Sequence, residues 1–557
     1  MNFLETIIGN LKNTPEKVIL SEVHEDRLAS TSCQQLLTAV NQARLALKAA
    51  GLRRGDRCAL FAPNSSHWVA VDLAIMAEGA IVVPLYSRQS PAELVTMMKD
   101  CAPRLLVCAD EQLERSVATL WPDLPSTLLY DKIFNTSTAL SDAAGPVELS
   151  ADSPVTIIYT SGTSGDPKGV VLNVANLSFM VQRTTARLEE LMRDVPKDGD
   201  DRVFHYLPFC FAGSWILLLT CLYRNNALMM STDLNKLADE LKVAAPHYFL
   251  NVPALLDRIR NGILEQLKKK GGLALTLFQK GQAAWIARQN GKVGTSLWLI
   301  CAARLMFPKI KQRIGPNLVA LISGSAPLSE HTQQFFMMLG IPVLQVYGLT
   351  ETTAICTMDH VHRYTPGRVG PAIPGIEMKL GENQEILVRG PNVFPGFWNR
   401  PEATSRVLKD GWFYTGDQGE VDESGNWKIV GRLKDLIIPS SGHNISPEPI
   451  EQMVLRALPA AEQVIAVGNG RKFLSIIVTG NLSSAEIESA LKIVNRDLPH
   501  YKQLRGFHRN EEPFTVESGL LTANRKLKRS LIEARFRKEI EALYSTSGQA
   551  EKERVSQ

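Results

Sequence analysis

The chain has 557 residues and a mass of 61.5 kDa, which excludes one small module and suggests about three to five domain-sized units. Hydrophobic residues make up 45% and charged residues 21%, a balance that suits large buried cores and argues against global disorder. A formal charge of +4, from 61 basic and 57 acidic residues, gives no case for a dedicated nucleic-acid binder, so no nucleic acid is expected as a partner.

The first residues, MNFLETIIGNLKNTPEK, interrupt a short apolar run with Glu5 and lack a basic flank followed by a long apolar core, so they do not read as a signal peptide. From 36 to 110 helical and strand-like runs alternate: LLTAVNQARLALKAAGL ends in Gly51, and CALFAPN, WVAVDLAIMAEGA and IVVPLYS follow. That alternation, with later apolar runs such as VTIIYTSGTSG, HYFLNVP, LVALISGSAP and VLQVYGLTE each feeding a loop, favours an α/β architecture. Ligands in such sheets lie at the C-terminal ends of the strands. The apolar runs at 211–223 and 296–306 are shorter than the roughly 20 residues that cross a bilayer, and both are expected to be buried core elements.

Beyond about 375 the texture shifts to short alternating segments (IEMKL, EILVRG, NWKIVG) set off by Gly, Asn and Asp, the pattern of a β-rich subdomain. A boundary near Gly431 to Asp435 divides the chain into an N-terminal domain over 1–432, a small α+β C-terminal domain over 433–545, and a polar tail over 546–557 expected to be disordered. The eight cysteines show no C-x-x-C pair and no zinc-finger spacing, which fits reduced, buried thiols in a cytoplasmic protein.

The sharpest local signal is YTSGTSGDPKG at 159–169. Glycines let a backbone approach an anion closely, hydroxyls and amides donate to phosphate oxygens, and Lys168 adds charge. The same composition also suits a plain surface loop. It is not a Walker loop, because Lys168 precedes Gly169 and no Ser or Thr follows.

This string and four others in the same order, ISGSAPLS (322–329), QVYGLTETT (345–353), GWFYTGDQGEVDESGNWKIVGRLKDLI (411–437) and LTANRKLKR (521–529), resemble the adenylate-forming (AMP-binding) superfamily. The resemblance is carried by residues from roughly 30 to 530. It implies a large adenylate-forming N-terminal domain of several α/β subdomains with a small, mobile C-terminal domain. The segment PHYFLNVPALLDRIRNGILEQLKKKGG (246–272) resembles the long-chain fatty acyl-CoA synthetase branch, and Lys268, Lys269 and Lys270 in it suit either a solvated face or contact with anionic lipid or CoA phosphates.

Residue by residue, the resemblance assigns nucleotide binding to Thr160, Ser161, Gly162, Thr163, Ser164, Gly165 and Lys168, to Gly324, Ser325 and Ala326, to Tyr347 and Gly348, and to Asp417 and Arg432. Tyr347 would stack on adenine, Asp417 would accept from the ribose hydroxyls, and the small residues of GSAP would let a ligand lie flat against backbone. Thr350 and Glu351 would act in catalysis, with Glu351 on Mg2+, a hard ion that prefers oxygen ligands. Lys526 matches the lysine that meets the carboxylate and α-phosphate, with Lys528 a weak rival; Lys434 matches the hinge, and Ser441 and Gly442 the thioester tunnel.

Departures are present as well. Asn524 and Arg525 stand where Pro or Gly and Gly are usual, LNVAN (172–176) replaces L-T-H-x-N, and LPFCF puts Phe211 at a histidine position, where it can wall an acyl pocket but cannot hydrogen-bond a carboxylate. The reading implied is an acid–thiol ligase of the fatty acid–CoA type, with Mg2+, ATP and CoA, activating a medium- or long-chain acid. The alternatives are an acyl-AMP ligase loading an acyl carrier protein or taking a 3-hydroxy acid, and a non-catalytic nucleotide or acyl-chain binding protein.

Overall fold

Leu36, Val40, Ala43 and Leu47 recur at helical spacing and are buried along one face of the helix Cys33–Ala49. Ser32 and Gln35 cap its start reciprocally, and Gly51 turns the chain out of it at φ +82°. The computed structural model describes residues 2–24, 27–135, 145–160, 167–197, 199–289, 291, 296–361, 363–522 and 526–545.

Among these residues two mixed sheets dominate. The eight-stranded one runs, in spatial order, Thr357–Met358, Val343–Tyr347, Ala320–Ser323, Tyr248–Asn251, Val203–His205, Leu228–Ser231, Val18–Val23 and Leu28–Ser32. Its inner pairs are parallel and its two outer pairs antiparallel. The seven-stranded sheet has a parallel part built on Ile81–Leu85, Arg57–Phe61 and Leu105–Cys108, and continues into the antiparallel pair Pro154–Thr160 and Lys168–Asn173, with the short strand Gly396–Phe397 antiparallel at its edge.

One continuous apolar core takes Leu20 and Leu228 from the first sheet and Leu60 and Val82 from the second. Helices Ser66–Ala77 and Ala212–Tyr223, whose apolar residues leave no polar stripe, run through it, buried over nearly their whole length. Trp215 Nε1 donates to Asp72 Oδ2 at 3.0 Å, tying the two helices together inside the core. The run at 211–223 is therefore the buried element its composition implies. The run at 296–306 is not: helix Leu297–Leu305 buries only Leu299 and Ala302, and leaves Leu297, Trp298, Ile300 and Leu305 exposed. It packs on the helix Gly272–Gln289 and gives only Leu299 and Ala302 to a second apolar core, and Gly281 allows the approach, since a Cβ there would fall 2.5 Å from Ala302 Cβ.

The β-rich texture after 375 folds into an antiparallel five-stranded sheet containing Glu377–Leu380, Glu385–Arg389, Trp412–Val421 and Trp427–Arg432. Beyond it, helices Pro447–Ala457 and Ser484–Asp497 cover a three-stranded sheet, Gln463–Val467, Leu474–Thr479 and Leu504–Asn510, around a separate core of Ile450, Val454, Ile476 and Ile487. The architecture is thus α/β, a large N-terminal part with a smaller α+β C-terminal one. All eight cysteines are free thiols, seven buried and Cys301 half-buried. Among the described residues no helix is long and apolar enough to cross a membrane.

Candidate active site

Asp417 and Arg432 are register partners on the antiparallel strands Trp412–Val421 and Trp427–Arg432. Arg432 Nε lies 2.8 Å from Asp417 Oδ1, and the Tyr347 hydroxyl, at the end of strand Val343–Tyr347, donates to Asp417 Oδ2 at 2.8 Å. The Asp417 side chain is 5% exposed and that of Arg432 36%, so the carboxylate is held from behind while the guanidinium reaches open space. Each carboxylate oxygen keeps a further lone pair for a ligand donor. Burial, followed by the Asp417 charge, pushes the Tyr347 phenol well above its ordinary range, so it stays a donor.

After Tyr347 the chain makes a tight turn that only Gly348 allows: a Cβ there would sit 2.3 Å from the carbonyl oxygen of Ala354. Thr353 and Ala354 adopt positive φ of 52° and 85° in the same turn, strain of the kind that gathers at functional sites. Thr350 and Glu351 ride on its 3-10 turn, Thr350–Thr352, both half-buried. Enclosure and the Asp417 charge raise the Glu351 carboxyl above its usual range, while Arg432 and Lys168 act against that rise.

Lys526 arrives from the far end of the chain. Its amide donates to Thr522 Oγ1 at 2.9 Å and its carbonyl accepts from the Thr522 amide at 2.8 Å, closing the base of a turn between Leu521 and Leu527. Its ammonium is pushed below the ordinary lysine range by crowding and then by the Arg432 cation, with Asp417 and Glu351 pulling it back up. Lys526 therefore shares one electrostatic cluster with Glu351, Asp417 and Arg432. Lys528 is committed elsewhere, its Nζ 2.9 Å from Glu93 Oε1. Lys434 stands exposed on the 3-10 turn Leu433–Asp435, its ammonium lowered to about 8 by desolvation and by Arg432.

Of the phosphate-loop residues, Thr160 ends strand Pro154–Thr160 and pairs with Lys168 across it, whereas Ser161, Gly162, Thr163, Ser164 and Gly165 lie outside the described residues. Lys168 Nζ sits over the Phe397 ring, 5.4 Å from its centroid. Gly324, Ser325 and Ala326 follow strand Ala320–Ser323, with Ser325 and Ala326 exposed and Ser325 at φ +70°. The small size of Gly324 serves the strand pairing behind the loop, because a Cβ would meet Val346 Cγ2 at 2.6 Å. Phe211 precedes the buried helix Ala212–Tyr223 and faces the Tyr86 ring at 5.8 Å. Ser441 and Gly442 are exposed on the loop between Ile437 and Ile445.

Asn176, the last residue of LNVAN, proves more than a variant letter. Its Nδ2 donates to the carbonyls of Pro391 and Val393 at 2.8 and 3.0 Å, and the next residue, Phe394, donates its amide to the Glu351 carbonyl at 2.9 Å. Asn173 and Asn176 also form a reciprocal cap on helix Val174–Met192. The spacing N-x-x-N at a strand-to-helix junction was the available signal, whereas the tie to Glu351 depends on a contact 215 residues away. Val174, at the histidine position of the L-T-H-x-N pattern, is simply core.

Among the described residues no three His, Cys, Asp or Glu side chains gather as a metal cage. The donor set suits Mg2+ nonetheless: this ion commonly takes one or two carboxylates and completes its shell with water and substrate phosphates. Glu351 is the carboxylate that faces the lysines and Arg432, and it would hold such an ion.

The chain matches the AMP-binding enzyme family over residues 9–398 and the AMP-binding enzyme C-terminal domain over 434–548. It is 28% identical to the long-chain-fatty-acid–CoA ligase FadD15 of Mycobacterium bovis, over 98% of this chain and 97% of the relative. It is 27% identical to the chloroplastic long-chain-fatty-acid–[acyl-carrier-protein] ligase AEE15 of Arabidopsis thaliana, over 95% and 85%. The fold superposes on that of O-succinylbenzoate coenzyme A synthetase of Bacillus subtilis in complex with AMP with a TM-score of 0.74, at 20% identity and over 94% and 97% of the two chains. With its family matched over residues 9–398 and 434–548, the chain belongs to the AMP-binding enzymes.

Proposed function

We propose that this enzyme is an acid–thiol ligase that activates a medium- or long-chain fatty acid with ATP and transfers the acyl group to CoA. The observation that carries the reading is the electrostatic meeting of Lys526 with Glu351, Asp417 and Arg432: two cations and two carboxylates, contributed by both parts of the chain. In the first step a carboxylate oxygen bonds to the α-phosphorus of ATP and pyrophosphate leaves. Asp417, held by Tyr347 and Arg432, fixes the ribose; Lys168 and Lys526 offset charge on the phosphates and the entering carboxylate. Mg2+ at Glu351 would supply further neutralisation of phosphate charge. In the second step the CoA thiol takes the acyl group and AMP leaves. No protein nucleophile takes part.

The hydrophobic acid is supported by the aromatic pair Tyr86 and Phe211 at the head of an apolar buried helix, and by the fatty-acid names of the relatives. We divide the chain accordingly into an adenylating domain over 1–432 and a C-terminal domain over 433–545 that turns about Lys434 to bring Ser441 and Gly442 to the thiol. A second acceptor, an acyl carrier protein, is favoured by the Arabidopsis relative named for it. ATP–pyrophosphate exchange across acids from acetate to palmitate and 3-hydroxy acids, with thioester assayed by mass after adding CoA or carrier protein, tests the reading. Exchange and acyl-CoA with a long acid are expected. Exchange with thioester on carrier protein alone moves the acceptor, exchange without any thioester points to a specialised acyl-adenylate reaction, and no exchange with any acid removes the ligase reading.

A further inference from the structure

Helix Leu297–Leu305, LWLICAARL, turns its apolar side outward. Leu299 and Ala302 are buried, while Leu297 is 73% exposed, Leu305 60% and Trp298 42%. At 100° per residue Leu297, Ile300 and Arg304 occupy the side opposite the buried pair, and Trp298 and Leu305 lie along the flank between the two sides. With Leu273, 86% exposed at the start of the partner helix Gly272–Gln289, this short region holds five of the fifteen large hydrophobics exposed among the described residues. A hydrophobic helix left on the surface marks an interaction face rather than a core element.

The charge along this stretch of the sequence is one-sided. From Gln266 to Ser329 the sequence contains no Asp or Glu, yet it carries Lys268, Lys269, Lys270, Lys280, Arg288 and Arg304 among its basic residues. Lys280 Nζ lies 4.3 Å from the Trp298 ring centroid, so cation and exposed aromatic share one surface. A soluble protein partner with a basic or neutral face would gain nothing from an acid-free stretch of this length. A surface that is apolar just below a layer of negative charge would match both features at once, with Trp298 at headgroup depth, Leu297 and Leu305 below it and the lysines on the lipid phosphates.

We propose that the helix pair Gly272–Gln289 and Leu297–Leu305 docks this enzyme on an anionic membrane surface. The inference goes beyond the choice of acid and acceptor, and its test uses no substrate.

Co-sedimentation of the full chain with vesicles of phosphatidylglycerol and phosphatidylcholine, against pure phosphatidylcholine, reads the partition directly. Partition onto the anionic vesicles at least about tenfold above the neutral ones is expected, falling as salt is raised. The double variant Leu297→Ser/Leu305→Ser should lose at least about tenfold of it, and Lys280→Glu should lose part of it, with unchanged thermal midpoints. Quenching by bromine-labelled lipid, compared between the unsubstituted protein and Trp298→Phe, should show a quenched component that vanishes with Trp298. Absence of partition, equal partition of the double variant, or a concentration-dependent dimer that the double variant abolishes without any vesicle binding would each overturn the proposal.

Discussion

Lys528 Nζ donates to Glu93 Oε1 at 2.9 Å, across 435 residues of sequence. Glu93 lies in the first turn of helix Pro91–Cys101 in the larger part of the molecule, Lys528 at the start of helix Arg529–Arg535 in the smaller. Two residues from Lys528, Lys526 interacts with the cluster around Asp417, so the ion pair lies beside the segment that delivers Lys526. Against the effect of burial, hydrogen bonds from Gln89 and Lys528 hold the Glu93 carboxyl below its usual range. The side chains are 20% and 41% exposed, which limits the pair to about 1 kcal/mol or less. Glu93→Gln is therefore expected to slow ATP–pyrophosphate exchange by no more than about fivefold, with the transfer of a preformed acyl-adenylate to CoA unchanged. Equal losses in both half-reactions, measured separately, would show that the pair does not act through Lys526.

Lys526→Ala should leave folding intact, because only its backbone closes the Thr522 turn, and should lower exchange by about 10² to 10³-fold, the scale seen when one pre-placed donor to developing charge is removed. Its lowered pKa gives the sign of the pH dependence. As pH rises through that lowered value the ammonium is lost, so the alkaline limb of kcat/KM for ATP should fall below the ordinary lysine range. Lys526→Ala should abolish that limb, whereas Lys528→Ala should keep it.

Strings of sequence made much of this candidate site legible: Lys168, Tyr347, Asp417, Arg432 and Lys526 each sit in a short string picked out by the resemblance to the adenylate-forming superfamily, whereas alone Asp417 and Arg432 read as ordinary surface charges. The contacts between them could not be read. The pairing of Asp417 with Arg432 depends on a hairpin register with an irregularity between Gln418 and Gly419, and a one-residue slip would send one side chain to the other face. Gly324 reads in sequence as a seat for ligand, and its small size also admits Val346, because a small residue looks the same whether ligand or strand approaches it. The run at 296–306 carried the composition of a core helix, and composition alone does not say whether anything covers it.

Asp417→Asn tests the triangle at the centre of the site. The neutral amide keeps the shape but removes the charge that Arg432 pairs with, and bonds to charged groups are worth about 1.5–3 kcal/mol. The dissociation constant for ATP, by calorimetry, should rise by about tenfold to a hundredfold. Tyr347→Phe removes one donor but leaves both the carboxylate charge and the Arg432 pair, so its effect on the dissociation constant should be smaller than that of Asp417→Asn. A larger loss in Tyr347→Phe than in Asp417→Asn would place the nucleotide on the phenol rather than on the carboxylate.

Glu448 supplies a titration at the junction of the two parts. A Cβ on Gly431 would come 2.6 Å from Glu448 Oε2, and that oxygen is buried without a hydrogen-bond partner. Burial, then the Glu451 and Asp435 charges, push the carboxyl up to about 7, although Arg529 acts the other way. A carboxyl raised on folding is neutral in the native state while the unfolded chain has already ionised. Its contribution is fully present below the ordinary glutamate range and is lost as pH rises through about 7. Glu448→Gln stays neutral throughout, so its thermal midpoint relative to the unsubstituted protein should rise between pH 5 and pH 8, by about 2–4 °C for each kcal/mol relieved. A difference that stays flat over that interval would mean that the carboxylate is ionised in place and is held by Arg529.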